Sequence, residues 1–169
     1  MKKKILSIAI AGIACVAFTS KAATLSGPIV NPANGHLYYL LPQDTWTGSQ
    51  ATATGLGGAL VTINNAAENQ WVFDTFSSYG AVNRLLWTGL YDPSQANPSS
   101  PSSFQWVSGD SATYRNWSAG EPSAFLPTEF YVYMYPNGYN TRSMEHLQKF
   151  INGVWLAKSV AVDADLRRG

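Results

Sequence analysis

Two segments of this chain are loop by composition, and any fold it adopts has to carry them. "YDPSQANPSSPSS", residues 91–103, and "YRNWSAGEPSAFLPTE", residues 114–129, are written in the residues of turns and irregular stretches. Loops of such length inside a compact domain are usually functional or disordered. Here these segments and the turn-rich stretch after residue 135 carry Trp117, Glu121 and Tyr139, which favours function.

Regular elements can be placed around them. "GHLYYLL", from Gly35, reads as a first strand. Asp44-Thr45 can cap a helix with Trp46, Ala53 and Leu56 at periodic positions, ended by Gly57-Gly58. "ALVTI", residues 59–63, reads as a short buried strand. Asn65 with Glu68 three residues on resembles a capping box, and opens a second helix to about Phe76 with Trp71, Val72 and Phe76 inward. "RLLWTGL" and "FQWVSGD" read as strands. "FYVYMY", residues 130–135, has strict period two: Phe130, Val132 and Met134 face one way, Tyr131, Tyr133 and Tyr135 the other. A short helix is expected around Met144–Phe150 and a short strand at "GVWLA". Two early helices, followed by short strands and long loops, make an α+β pattern.

The first 22 residues stand apart. Lys2-Lys3-Lys4, the apolar run Ile5–Phe18 and the small residues around Ala22 form the three parts of a bacterial-type secretory signal. That run is short of the roughly 20 residues of a membrane span. The expected organisation is a signal over 1–22, a lead-in linker over 23–34 and one domain over 35–169, secreted or periplasmic, with no transmembrane segment. Cleavage after Ala22 removes Lys2, Lys3, Lys4 and Lys21, leaving 7 of 11 basic residues against 10 acidic ones, a net charge of −3. No basic patch survives, which argues against nucleic acid as a partner. The only cysteine, Cys15, leaves with the signal, so the domain must stand on its core without a disulfide. His36 and His146 lack the spacing of a zinc site, and no nucleophile elbow or phosphate loop is present.

Taken in order, "NGHLYYLL", "LGGALVTINNAAEN", "WTGL", "FQWVSGD", "NWSAGEPS" and "EFYVYM" resemble a C-type lectin-like domain of the bacterial kind, over roughly Gly35 to Ala157. The resemblance implies a double-looped α+β fold whose N- and C-terminal strands pair and whose long upper loop binds ligand. In sugar-binding members a calcium ion in that loop holds two sugar hydroxyls. The family's motif is Glu-Pro-Asn, a later Glu, then Trp-Asn-Asp. This chain has Glu121-Pro122-Ser123, then Glu129, then Trp155-Leu156-Ala157. The resemblance also implies a cis proline after Glu121.

Glu121, Ser123 and Glu129 are therefore the candidate metal ligands. Calcium takes about 6–8 oxygens, and Leu156 and Ala157 offer no side-chain oxygen where the motif has an amide and a carboxylate. Calcium binding is expected to be weak or absent. A metal-free route to sugar is stacking on aromatics. Trp117, Tyr131, Tyr133 and Tyr139 complete the candidate ligand-binding set, against the alternative that Trp117 and the strand tyrosines are core. The functional expectation is a non-enzymatic binding domain for carbohydrate, or else a calcium-independent protein-binding or adhesion module. At the far end, "VAVDADLRRG" raises two alternatives: the last strand is missing and "GHLYYLL" has an open edge, or "SVAVDAD" closes the sheet.

Overall fold

The computed structural model describes residues 24–96, 99–123 and 129–136, together with the strands over 144–147 and 158–164. The strands are β1 (Ser26–Val30), β2 (Leu37–Gln43), β3 (Leu86–Tyr91), β4 (Gln105–Trp106), β5 (Tyr131–Met134), β6 (Met144–Leu147) and β7 (Lys158–Ala164). The helices are α1 (Trp46–Gly55) and α2 (Ala66–Phe76). The sheet runs β1-β2-β7-β3-β5-β6, with β4 paired to β3. The pairs are antiparallel except β3 with β7, which is parallel.

Both helices start where side chains can take their first free N–H groups. Thr45 Oγ1 accepts from Gly48 N at 3.1 Å, and Asn65 Oδ1 accepts from Glu68 N at 2.9 Å. The reciprocal half of the expected capping box is shifted by one residue: Glu68 Oε2 accepts from Asn64 N at 2.8 Å. Helix α1 ends at Gly57, whose φ of 88° is the left-handed conformation that glycine tolerates.

The core lies on both faces of the sheet. On one face Leu86 and Leu90 of β3 and Val132 and Met134 of β5 pack with Val72, Phe73 and Phe76 of α2. On the other face Trp87 and Tyr133 pack with Trp46 and Ala53 of α1, and Tyr131 and Tyr135 lie against them. The period-two pattern of "FYVYMY" holds, and its two faces feed two cores. That is why the run contains no charged residue.

Several expectations change. Residues 26–30, expected as linker, form β1 and pair with β2. "ALVTI" is buried but forms only an isolated bridge at Leu60; its Val61 C=O accepts from Gly89 N at 2.8 Å. The segment runs across β3 instead of joining it as a ladder strand. Met144–Leu147 is strand, not helix, because it completes the edge beside β5. Lys158–Ala164 pairs with β2, so residues within "SVAVDAD" lie where the open edge was the other alternative. "GVWLA" lies outside the described residues, apart from the signal segment, which also does.

Glu68 joins helix, turn and sheet. It is buried, and its Oε1 accepts from the Tyr38 hydroxyl at 2.6 Å while Oε2 also accepts from Asn64 Nδ2 at 3.0 Å. Tyr38 is wholly buried, so its hydroxyl has no water to turn to. Glu68→Gln turns one acceptor into a donor facing donors. It is expected to lower unfolding free energy by about 2 kcal/mol, the scale of a hydrogen bond to a charged group. Urea denaturation checks this; an unchanged midpoint would remove Glu68 from the account of stability.

Candidate ligand-binding loop

The loop leaves β4 through a turn in which Gly109 N donates to Trp106 C=O at 3.0 Å, with φ of 80° at Gly109. Arg115 then ties its first half to the sheet. The guanidinium lies over the Trp106 ring, 5.1 Å from its centre. It donates to the carbonyls of Ala112 (3.0 Å), Tyr114 (2.7 Å) and Phe104 (3.2 Å). Trp106 Nε1 donates to the same Ala112 carbonyl at 2.9 Å. Burial lowers the Arg115 pKa below the usual guanidinium value and raises that of Tyr114 above the usual phenol value. Nothing in the sequence reading singled out Arg115, a lone cation in a loop. Its signal is its position between aromatic residues.

Trp117 comes next. It is half-buried, packs against the first core cluster and meets Phe104 edge-on with centroids 5.2 Å apart. A turn follows, closed by Glu121 N donating to Ser118 C=O at 3.0 Å, with Gly120 at φ 90°. The Glu121–Pro122 peptide is cis, and Pro122 is buried. The Glu121 carboxylate folds onto its own loop: Oε2 accepts from Ser123 N at 2.9 Å and Oε1 from Ser123 Oγ at 3.1 Å. Glu121 and Ser123 thus come together, and both remain partly open to solvent.

Glu129 sits at the entry to β5 and is 8% exposed. The segment 124–128 that joins it to Ser123 lies outside the described residues, as do Tyr139 and Trp155-Leu156-Ala157. Next to Glu129, Phe130 C=O accepts from Asp92 N at 2.9 Å. Asp92 is a fully buried carboxylate that the sequence reading passed over, and its Oδ1 accepts from Ser94 N (2.9 Å) and Ser94 Oγ (2.6 Å). Aspartate before proline at a strand end was the available signal. Among the described residues no three of His, Cys, Asp and Glu are grouped so as to share an ion.

The strand tyrosines lie in or against the second core cluster. Tyr133 is 3% exposed, and its ring meets Trp87 at 6.1 Å and 90° and Tyr135 at 5.1 Å. Tyr133 is a core residue, because α1 covers that face of β5. Tyr131 is half-buried and lays its ring on Trp46, with centroids 4.7 Å apart and planes at 22°. Of the aromatic candidates among the described residues, Trp117 alone belongs to the loop. Among the described residues no helix is long and apolar enough to cross a membrane.

The Lectin C-type domain family matches residues 42–149. Mouse Lithostathine-1 is 26% identical over 106 residues, covering 61% of each chain. The chain spans about three fifths of the length of the curated relatives it matches. Human lithostathine superposes with a TM-score of 0.64 at 22% identity, over 82% of this chain and 90% of that one. The C-type lectin CEL-I from Cucumaria echinata superposes with a TM-score of 0.61 at 21% identity, over 74% and 87%. At those identities the superpositions establish the fold, and the family match covers more than half of the sequence. This protein belongs to the C-type lectin domain family.

Proposed function

We propose that this is an exported, non-enzymatic carbohydrate-recognition domain whose ligand is held with weak calcium assistance or none. The observation that carries the reading is the closure of Glu121 on Ser123, both carboxylate oxygens accepting from that one residue. C-type lectin domains commonly bind calcium, and a calcium ion takes about 6–8 oxygens. Ser123 already occupies one lone-pair site on each of the two Glu121 oxygens. Ser123 offers one hydroxyl, where an amide would offer a donor and an acceptor together. Leu156 and Ala157 offer no side-chain oxygen. This donor set does not fit a tight calcium cage.

In this reading Glu121 and Ser123 meet the ligand directly as acceptors, since Ser123 Oγ gives its one proton to Glu121 Oε1, with Glu129 behind them and Trp117 as the apolar side of the site. The bacterial-type leader supports export to the periplasm or the medium, and "lectin" in the name of the relative CEL-I supports a sugar as ligand class. A second reading, a calcium-independent protein-binding or adhesion module on the same loop, is favoured by the loss of oxygens at Leu156 and Ala157.

Glycan-array binding with and without chelator separates the readings. Binding that survives chelator supports direct recognition, and Glu121→Ala is then expected to weaken it about tenfold or more. Binding abolished by chelator would overturn the metal-independent reading. No glycan bound at all leaves the protein-binding module as the better account. In parallel, calcium titration followed by melting temperature is expected to show no saturable rise below roughly millimolar ion. A rise that saturates in the micromolar range would contradict the donor count above.

A further inference from the structure

A different part of the molecule holds an open cleft of about 270 Å³, lined by Gly58, Ala59, Leu60, Thr62, Ser108 and Asp110. None of these residues belongs to the Glu121 loop site. We propose that this cleft is a second, metal-free binding site for a small neutral polyhydroxylated ring.

Its walls are held in place by backbone. Val61 C=O accepts from Gly89 N, and Gly89 C=O accepts from Val107 N, both at 2.8 Å. The segment 58–62 and the turn after β4 are thus both tied to one residue of β3. Gly58 and Ala59 are small and leave the space between the walls open. The volume falls near the ~300 Å³ lower end of small-molecule pockets, which suits one ring and not a chain.

The polar groups set the ligand's chemistry. Thr62 Oγ1 and Ser108 Oγ are 2.7 Å apart, and Ser108 Oγ also accepts from Asp110 N at 3.2 Å. Each hydroxyl owns one proton, and only one of the two protons lies between them. The other remains to be donated. Asp110 Oδ1 accepts from Ala112 N at 2.9 Å, which leaves most of the carboxylate's lone-pair capacity for another donor. The cleft therefore offers a donor and strong acceptors side by side. An anion is disfavoured, since no cation lines the cleft and Asp110 would repel it. An ammonium has no acceptor for the spare hydroxyl proton. Neighbouring hydroxyls on a ring satisfy both needs, each giving a proton and taking one.

The inference does not rest on the loop reading, and one experiment keeps the two apart. The ¹⁵N-labelled protein is titrated with methyl α-D-glucoside in excess EDTA and followed by amide shifts. Saturable shifts at Thr62, Ser108 and Asp110 are expected at roughly millimolar ligand. Asp110→Asn keeps an acceptor for Ala112 N, so it should fold, and it is expected to weaken those shifts about tenfold or more. Ser108→Ala should weaken them as well. Shifts confined to Glu121–Ser123, shifts at the cleft that Asp110→Asn leaves unchanged, or no saturable shift anywhere would each overturn the cleft as a site.

Discussion

Replacing Trp46 with alanine is expected to lower unfolding free energy by about 4–5 kcal/mol, the upper range for removing a buried aromatic. Trp46 is 6% exposed. Its ring is stacked on both Tyr91 and Tyr131, with centroids 5.0 and 4.7 Å away. Its Nε1 donates to Thr88 C=O at 2.8 Å, inside β3. Truncation leaves a cavity under α1 and removes the stacking partner of the first residue of β5. Such pairs are worth about 0.5–1.5 kcal/mol each beyond their buried area. Trp46→Phe keeps a ring and loses the hydrogen bond, so its cost should be far smaller. Urea denaturation of both variants checks the pair: the midpoint should fall strongly in the first with little change in slope. A loss below about 2 kcal/mol for Trp46→Ala would mean that α1 is dispensable to that face of the sheet.

Gly89→Ala carries the next largest effect, and for a different reason. A Cβ built on Gly89 would lie 2.5 Å from Leu60 O and 3.1 Å from Leu60 C. Those atoms are backbone and cannot swing away as a side chain can. The segment 60–63 would have to lift off β3 and loosen the Gly89 N–H bond to Val61. Overpacking usually costs about 1–3 kcal/mol, and backbone against backbone belongs at the top of that range. The same lift would shift one wall of the 58–62 cleft. Thermal melting should fall by more than 5 °C on the ~4–8 °C per kcal/mol scale of small domains. An unchanged melt would show that the 60–63 segment rides on β3 loosely.

Much of this architecture was legible in residue order. The two helices announce themselves by caps: Thr45 and Asn65 are the residues whose side chains take the first free N–H groups. The faces of β5 follow from period two, since a strand has no other way to arrange its side chains. The Glu121-Pro122 turn was legible through the family resemblance, and its peptide is cis. What could not be read was which neighbour each segment meets. "ALVTI" has the composition of a strand, yet it crosses β3 at Gly89 and makes a bridge instead of a ladder. Met144–Leu147 has helical residues, but an edge beside β5 was available, and pairing there satisfies its backbone.

The candidate site divides the same way. Glu121 and Ser123 are two residues apart, and a turn is enough to join them. Local sequence therefore decided that Glu121 closes on Ser123. Tyr133 was ambiguous because a tyrosine on a strand can face solvent or a core equally well. Its fate was decided by α1, which is more than 75 residues earlier in the chain and brings Trp46 over that face. Asp92 beside Phe130, and Thr62 beside Ser108, are likewise products of chain crossing, with no spacing rule to reveal them. In this protein the order of residues determined the helices, the strand faces and the closed turn, because those depend on bonds over a few residues. Tertiary packing alone decided which polar groups share a cleft and which aromatics lie under a helix, because those contacts depend on where distant segments come to rest.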